Sequence, residues 1–366
     1  MNRGLTTGTW IIATGVIIAL LYLGRDILAP FAMAIFLFLI IEGFARTIQR
    51  TFNLKQLWIG RSAAILIVVG GFIGFVVLMA QGVAQFGGSQ AGDYERRING
   101  LISDVYGFVG MGDAPTLTEL VFNETGQRFF GVLAAALGDL SGDLVLILIY
   151  VAFLFLAEAN WPSKLDAIFP QSENRAQVKA VGDQARRSIE AYLWTQTVIS
   201  AITTLLTYVS LVLLGVENAV FLAALIFVLN YIPTLGSIVA ALVPPLFALV
   251  QPTLPGWLPL DSPADAYLYA ALVFGAVSLW QFSIGNFLQP RMMGDSLNLS
   301  ALVVLVGLAV WGAIWGIPGM FLSAPLTVLM MILFAQSENT RWIAILLSSD
   351  GKPGQMGKHD AATEQG

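Results

Sequence analysis

Cysteine is absent from this 366-residue chain, and histidine occurs once, at His359 in a polar tail. Disulfides, thiolate nucleophiles and His/Cys metal clusters are therefore excluded. Charge is scarce as well: Asp, Glu, Lys and Arg make up 11% of residues, with a formal net charge of -5. That leaves no basic stripe for nucleic acid, which is not an expected partner. No Gly-x-x-x-x-Gly-Lys-Ser/Thr phosphate loop occurs, no cofactor is implied, and direct use of ATP is not expected. Carboxylate or carbonyl sites for hard cations stay open. What the chain has instead is apolar surface: 57% hydrophobic residues and a mean hydropathy of +0.78. A solvated globular surface needs far more charge, so lipid is the solvent and membrane lipids are the first partner.

The apolar runs predict an all-α, polytopic membrane fold. Arg3 and the run over 9–23 have the outline of a signal peptide, but Arg25 and Asp26 lead directly into a second run over 27–41 with no small-residue cleavage pattern between them. The pair is expected to stay. The organisation expected is N-terminal transmembrane helices over 1–80, an extracytoplasmic polar insertion over 81–130 and a transmembrane helix over 131–158. A cytoplasmic polar helical segment over 159–190 follows, then a transmembrane core with two broken hairpins over 191–345 and a disordered cytoplasmic tail over 346–366. Within the core a helix over 191–214 is expected to start where the polar segment ends.

Both hairpins are read from breaks. The apolar stretch 219–250 is interrupted at Asn230-Tyr231-Ile232-Pro233-Thr234-Leu235-Gly236, leaving arms of about 11 and 14 residues. At 1.5 Å per residue these reach about 16 and 21 Å, against about 30 Å of hydrocarbon. A second stretch over 299–334 is broken at Trp315-Gly316-Ile317-Pro318-Gly319, and an intact helix over 266–287 separates the two. If each broken stretch returns to its starting side, almost all Lys and Arg falls on the side of the N-terminus, which the positive-inside rule makes cytoplasmic. Both termini and 160–190 are then cytoplasmic, and 81–128 is outside.

Here the sequence resembles a known family. The stretch from Asn230 to Gly236, Gln289-Pro290-Arg291-Met292-Met293-Gly294, the break from Trp311 through Gly319, Leu322-Ser323-Ala324-Pro325-Leu326 and Pro30-Phe31-Ala32-Met33-Ala34 are similar to those of the autoinducer-2 exporter family of bacterial membrane proteins. Ser237 and Ala301 stand where that family often has proline. The resemblance implies a bacterial inner-membrane transporter; known members divide between export of a small signalling molecule and sodium/proton antiport. The expected function is secondary transport of a small polar solute or monovalent cation, with a sodium/proton antiporter and a non-transporting scaffold as alternatives. A homo-oligomer is compatible with the sequence.

Candidate site residues follow from the breaks. Pro233 disfavours helical geometry at Ile232, Gly236 permits a turn, Asn230 adds an amide and Tyr231 a hydroxyl. Gly316, Pro318 and Gly319 make a comparable break. Unwound tips leave carbonyls and N–H groups that cannot face lipid, so the tips are expected to line a solute site near the midplane; turns joining short full spans are the plainer alternative. For gating or ion coupling, Arg291 and Asp295 can pair, or sit in an ordinary cytoplasmic loop. Asp139 and Asp143, about 40° apart around a helix, can hold a cation or relay protons, or act as plain helix-entry acids. Glu42 and Glu158 are read as helix-end acids in reach of headgroup water, and Trp257, Trp311 and Trp315 as interface anchors. An enzyme is not expected: Gly294-Asp295 has the outline of an intramembrane aspartyl protease motif, but no second aspartate faces it from the same side.

Overall fold

The computed structural model describes residues 3–51, 57–86, 91–110, 113–122, 143–158, 160–170, 172–251, 253, 255–256, 263–293 and 297–353. Among them the regular structure is helical, apart from one isolated bridge between Leu299 and Ser348. The helices are α1 (Arg3–Leu23), α2 (Arg25–Thr51), α3 (Leu57–Phe86), α4 (Ala91–Val109), α5 (Leu117–Phe122), α6 (Asp143–Glu158), α7 (Trp161–Ile168), α8 (Ser172–Leu214), α9 (Ala219–Leu229), α10 (Leu235–Val250), α11 (Pro263–Ser283), α12 (Gln289–Met293), α13 (Ala301–Ala335) and α14 (Arg341–Leu347). A π-helical turn, Ile284–Leu288, joins α11 to α12. By length and composition five of the described helical stretches suffice to cross a membrane: Arg25–Gln49, Ile59–Met79, Arg175–Leu214, Asp265–Met293 and Ala301–Ala335, the last measured through a break at Gly316.

One boundary differs from expectation. The polar segment and the following apolar helix form a single helix, α8, of 43 residues, about 64 Å long. Its polar half is rich in good helix formers such as Ala176, Gln177, Lys179, Ala180 and Arg186, and after Pro170 no proline interrupts it. Change of solvent alone does not end a helix. Helix α3 likewise runs on past position 81, to Phe86, although its apolar stretch ends at Met79. The expected start of the fourth helix near Val132 lies outside the described residues.

The chain forms two compact units. The first comprises Met1–Ile65, Asp143–Gln196 and Met293–Gly366. Edge-on ring pairs tie α2 to α6 through Phe31–Tyr150 and Phe38–Phe155, and α2 to α8 through Phe44–Trp194. Ala185 packs with Val328 and Ile332 of α13. Within α13, Gly316 has φ 65 and ψ -139, outside helical geometry, and the chain doubles back there. A Cβ added at Gly312 would lie 3.0 Å from Met320, and one at Gly307 2.8 Å from Thr327 Oγ1, so residues on either side of Gly316 face each other in antiparallel order. The arms, about 22 and 28 Å long, form a hairpin.

The second unit comprises Leu66–Gly142 and Thr197–Met292. Ala219 and Leu222 at the start of α9 share a core with Phe247 and Ala248 at the end of α10, together with Leu211, Tyr269, Val273 and Val277. Only a doubled-back chain brings those ends together, so α9 and α10 are also a hairpin. In the insertion, Thr116 and Glu119 cap α5 reciprocally: the Thr116 N–H donates to Glu119 (2.9 Å) and the Glu119 N–H to the Thr116 hydroxyl (3.3 Å). The insertion is fastened to the hairpin base, where Tyr94 of α4 stacks edge-on with Phe247 and donates to Glu217 at 2.9 Å.

Candidate functional site

The first hairpin tip carries the polar residues singled out by sequence. Much of its backbone, however, is hydrogen-bonded locally. The N–H groups of Tyr231 and Ile232 bond to Val228 and Leu229 carbonyls, Leu235 to Pro233, Gly236 to Ile232 and Ile238 to Thr234, while the Ser237 hydroxyl also donates to Thr234 O. The tip therefore does not present the rows of open carbonyls and N–H groups expected of an unwound helix end. The chemistry falls to side chains. Tyr231, 7% exposed, shares a 2.7 Å hydroxyl–hydroxyl hydrogen bond with Thr197 of α8, and its ring meets Phe227 edge-on. Gln281 of α11 donates to the Asn230 amide oxygen at 3.5 Å. Thr197 stands 17 residues before Leu214 on α8, so the tip reaches about 26 Å along that helix from its end.

Two glycine roles separate here. The positive φ of the turn belongs to Thr234 (φ 64), a β-branched residue for which that region is unfavourable. Gly236 is instead buried in the first turn of α10, where any Cβ would overlap the Leu229 carbonyl oxygen. At the second tip Gly316 holds the positive φ, while a Cβ on Gly319 would overlap the Trp311 carbonyl. Pro318 is half-buried beside it. This tip lies at the last turn of α1: Trp315 Nε1 donates to Leu21 O at 3.0 Å. Trp311 and Trp315 are buried and packed together, ring centroids 5.4 Å apart, rather than standing out as interface anchors.

Of the remaining candidates, Arg291 and Asp143 fall among the described residues. Arg291 is exposed on α12, and Asp295 lies outside the described residues. Asp143 is half-buried in the first turn of α6, and Asp139 is also outside the described residues. No group of acids or histidines suited to hold a metal ion occurs among the described residues.

Two features escaped the sequence reading. Glu42 is not exposed to headgroup water; it is 4% exposed, between Arg61 Nε at 2.7 Å and Arg186 Nη2 at 3.5 Å. The pairs continue on both sides, Arg61 to Glu158 at 2.7 Å and Arg186 to Glu190 at 2.7 Å, and Glu190 also pairs with Arg46. The result is a chain of alternating charge, Arg46–Glu190–Arg186–Glu42–Arg61–Glu158, with three charges of each sign. The second feature is a row of hydroxyls on α8, from Thr197 to Ser210, whose four- and three-residue spacing was a readable signal.

Hydrophobic helices, two doubled-back hairpins and buried or half-buried polar side chains at a hairpin tip define a helical multi-pass membrane protein. Residues 11–339 match the family described as AI-2E family transporter, and the chain belongs to that family of membrane transporters. It is 34% identical to the AI-2 transport protein TqsA of Escherichia coli (strain K12) over 221 residues, 60% of this chain and 59% of TqsA. It is 30% identical to a candidate transport protein of the same organism, YhhT, over 227 residues, 62% of this chain and 60% of YhhT. A candidate transport protein of Haemophilus influenzae is 27% identical over 344 residues, covering 92% of this chain and 94% of the relative. The chain thus spans about three fifths of the length of the first two relatives and nearly all of the third.

Proposed function

We propose that the protein is a secondary transporter that moves a small, uncharged polar solute through the unit built on the first hairpin, with Asn230, Gln281, Tyr231 and Thr197 at its contact site. The observation that carries this reading is the neutrality of those groups. From Thr197 to Pro290 the sequence contains no Lys or Arg and only three acids, Glu217, Asp261 and Asp265, and Glu217 is engaged by Tyr94 and Thr253. A buried site of amides and hydroxyls selects by hydrogen bonding, because each polar group must find a partner there. Sodium/proton antiport needs acids that titrate or coordinate a cation, and the tip has none. The name of the TqsA relative supplies the first solute to test, AI-2.

Purified protein in proteoliposomes is expected to pass AI-2 down its own gradient without ATP. Sodium/proton exchange without AI-2 flux, or flux only with added ATP, would contradict the reading. The accompanying topology has both termini and 160–190 in the cytoplasm and 81–128 outside. Single cysteines, Ser172→Cys and Ser89→Cys in this cysteine-free chain, are expected to react with an impermeant thiol reagent from opposite sides; reaction from one side would overturn that topology.

A further inference from the structure

Beyond the tip, α8 carries a face of buried hydroxyls that the tip does not use. Ser200, Thr203, Thr207 and Ser210 repeat at three- and four-residue spacing and so share one side of the helix, with Thr204 beside them. Leu205, Val209, Val212 and Leu213 on the other side are exposed, so in this stretch the polar side faces inward and the apolar side outward. In a membrane helix a serine or threonine commonly returns its hydroxyl to a carbonyl one turn earlier. Thr203 does so to Ile199 at 2.8 Å and Ser210 to Leu206 at 3.0 Å. Ser210 also accepts from Trp280 Nε1 at 2.8 Å. Ser200, Thr204 and Thr207 do not: their hydroxyl oxygens have no hydrogen-bond partner among the described residues, nor has that of Ser278 on α11. Ser200 and Thr207 are 0% exposed. A buried hydroxyl with no partner destabilises the fold, and four of them in one unit point to a ligand or water that completes them.

We infer that these hydroxyls contact the transported solute. Ser200, Thr204, Thr207 and Ser278 form a water-wetted track within the second unit, which begins one turn beyond Thr197 and continues along α8 for about 10 Å. The track adds a set of specificity-determining residues to the tip. This rests on the reading that the protein carries a polar solute past Asn230 and Tyr231. The track selects solutes by the number and spacing of their hydrogen-bonding groups and ignores charge, since it contains no ionisable side chain. Close helix packing through small residues is the competing explanation of a Ser/Thr-rich face. Packing needs small volume and no water, whereas a track needs hydroxyls and water.

The absence of native cysteine allows a test independent of flux. Single variants Ser200→Cys, Thr204→Cys, Thr207→Cys and Ser278→Cys, with Leu205→Cys and Leu213→Cys as lipid-facing controls, are reconstituted and treated with a small anionic methanethiosulfonate. Only a hydrated thiol ionises and reacts, so the track positions are expected to react at least about tenfold faster than the controls. AI-2 at saturating concentration is expected to slow that reaction. Separately, Ser200→Ala, Thr204→Val and Thr207→Val are each expected to raise the KM for AI-2 about fivefold with an unchanged melting temperature, as the loss of one hydrogen bond implies. Track cysteines as unreactive as the controls would overturn the inference and leave the tip reading standing. Rapid labelling in a protein that carries no AI-2 would keep the wet track and remove the solute assignment.

Discussion

In the unit that holds α2, α6 and α13, the one buried charged residue among the described residues, Glu42, is closed into a chain of ion pairs, and the other buried polar residues, such as Gln196, Ser323 and Thr327, are neutral. In the unit that holds α9, α10 and α11 the buried polar residues are neutral, and the hydroxyls of Ser200 and Thr207 have no hydrogen-bond partner among the described residues. The six-residue chain from Arg46 to Glu158 sums to zero, and every member has an oppositely charged neighbour. Ion pairs of this kind serve to hold helices in one arrangement, since burying charge is costly unless each is matched. The α8 hydroxyls and the Asn230–Gln281 amides cost less to bury, and the hydroxyls of Ser200, Thr204 and Thr207 have no partner among the described residues. Closed charge reads as framework and open neutrality as site.

The largest expected effect falls on the closed chain. Glu42→Gln leaves Arg61 and Arg186 facing each other without their shared anion. It is expected to cost about 3 kcal/mol, the low end for a broken buried pair, because both arginines keep about a third of their side chain exposed. Thr207→Val, which removes a hydroxyl that has no partner among the described residues, is expected to change stability by less than about 1 kcal/mol. Melting followed by tryptophan fluorescence in detergent compares the two; equal losses would erase the distinction between framework and site.

The hairpin tips come next. Gly236→Ala and Gly319→Ala each drive a methyl group into a carbonyl oxygen and are expected to cost about 2 kcal/mol or more. Thr234→Gly removes a β-branched residue from positive φ and is expected to stabilise by about 1 kcal/mol. Loss of stability on Thr234→Gly would mean that the Thr234 side chain makes a compensating contact.

Much of this architecture is legible from residue order. Pro233 and Gly236 mark the first break, and Gly316 with Pro318 the second, because proline and glycine act locally. The identity of the strained residue is not legible: Thr234 is among the residues least suited to positive φ, and propensity alone would place the strain on Gly236. The pairing of Glu42 with Arg186 is hidden for another reason, since the partners are 144 residues apart and a lone acid near a helix end has a cheaper explanation. The continuity of α8 is missed because a change from polar to apolar composition resembles a boundary. The hydroxyl face had a readable period, obscured by the apolar residues between its members.

A smaller effect concerns the insertion. Burial pushes the Tyr94 phenol up, and its hydrogen bond to the Glu217 carboxylate pushes it further. The folded state therefore holds this proton more tightly than the unfolded chain. The resulting stabilisation is complete below the ordinary phenol value of about 10 and is lost as pH rises through the raised value. At about pH 8, where the stabilisation is complete, tryptic cleavage at Arg96 and Arg97 is expected to be faster in Tyr94→Phe than in the native protein; equal rates would remove the contact as a fastening.

The most direct measurement is AI-2 flux in proteoliposomes, for the native protein and for Asn230→Ala, with and without an imposed sodium or proton gradient. Native flux is expected to follow the AI-2 gradient alone and to be unchanged by either ion gradient, and Asn230→Ala is expected to lower it about tenfold while melting as the native protein does. Flux that appears only under a sodium or proton gradient, or that persists at the native rate in Asn230→Ala, would contradict a neutral site at the first hairpin tip.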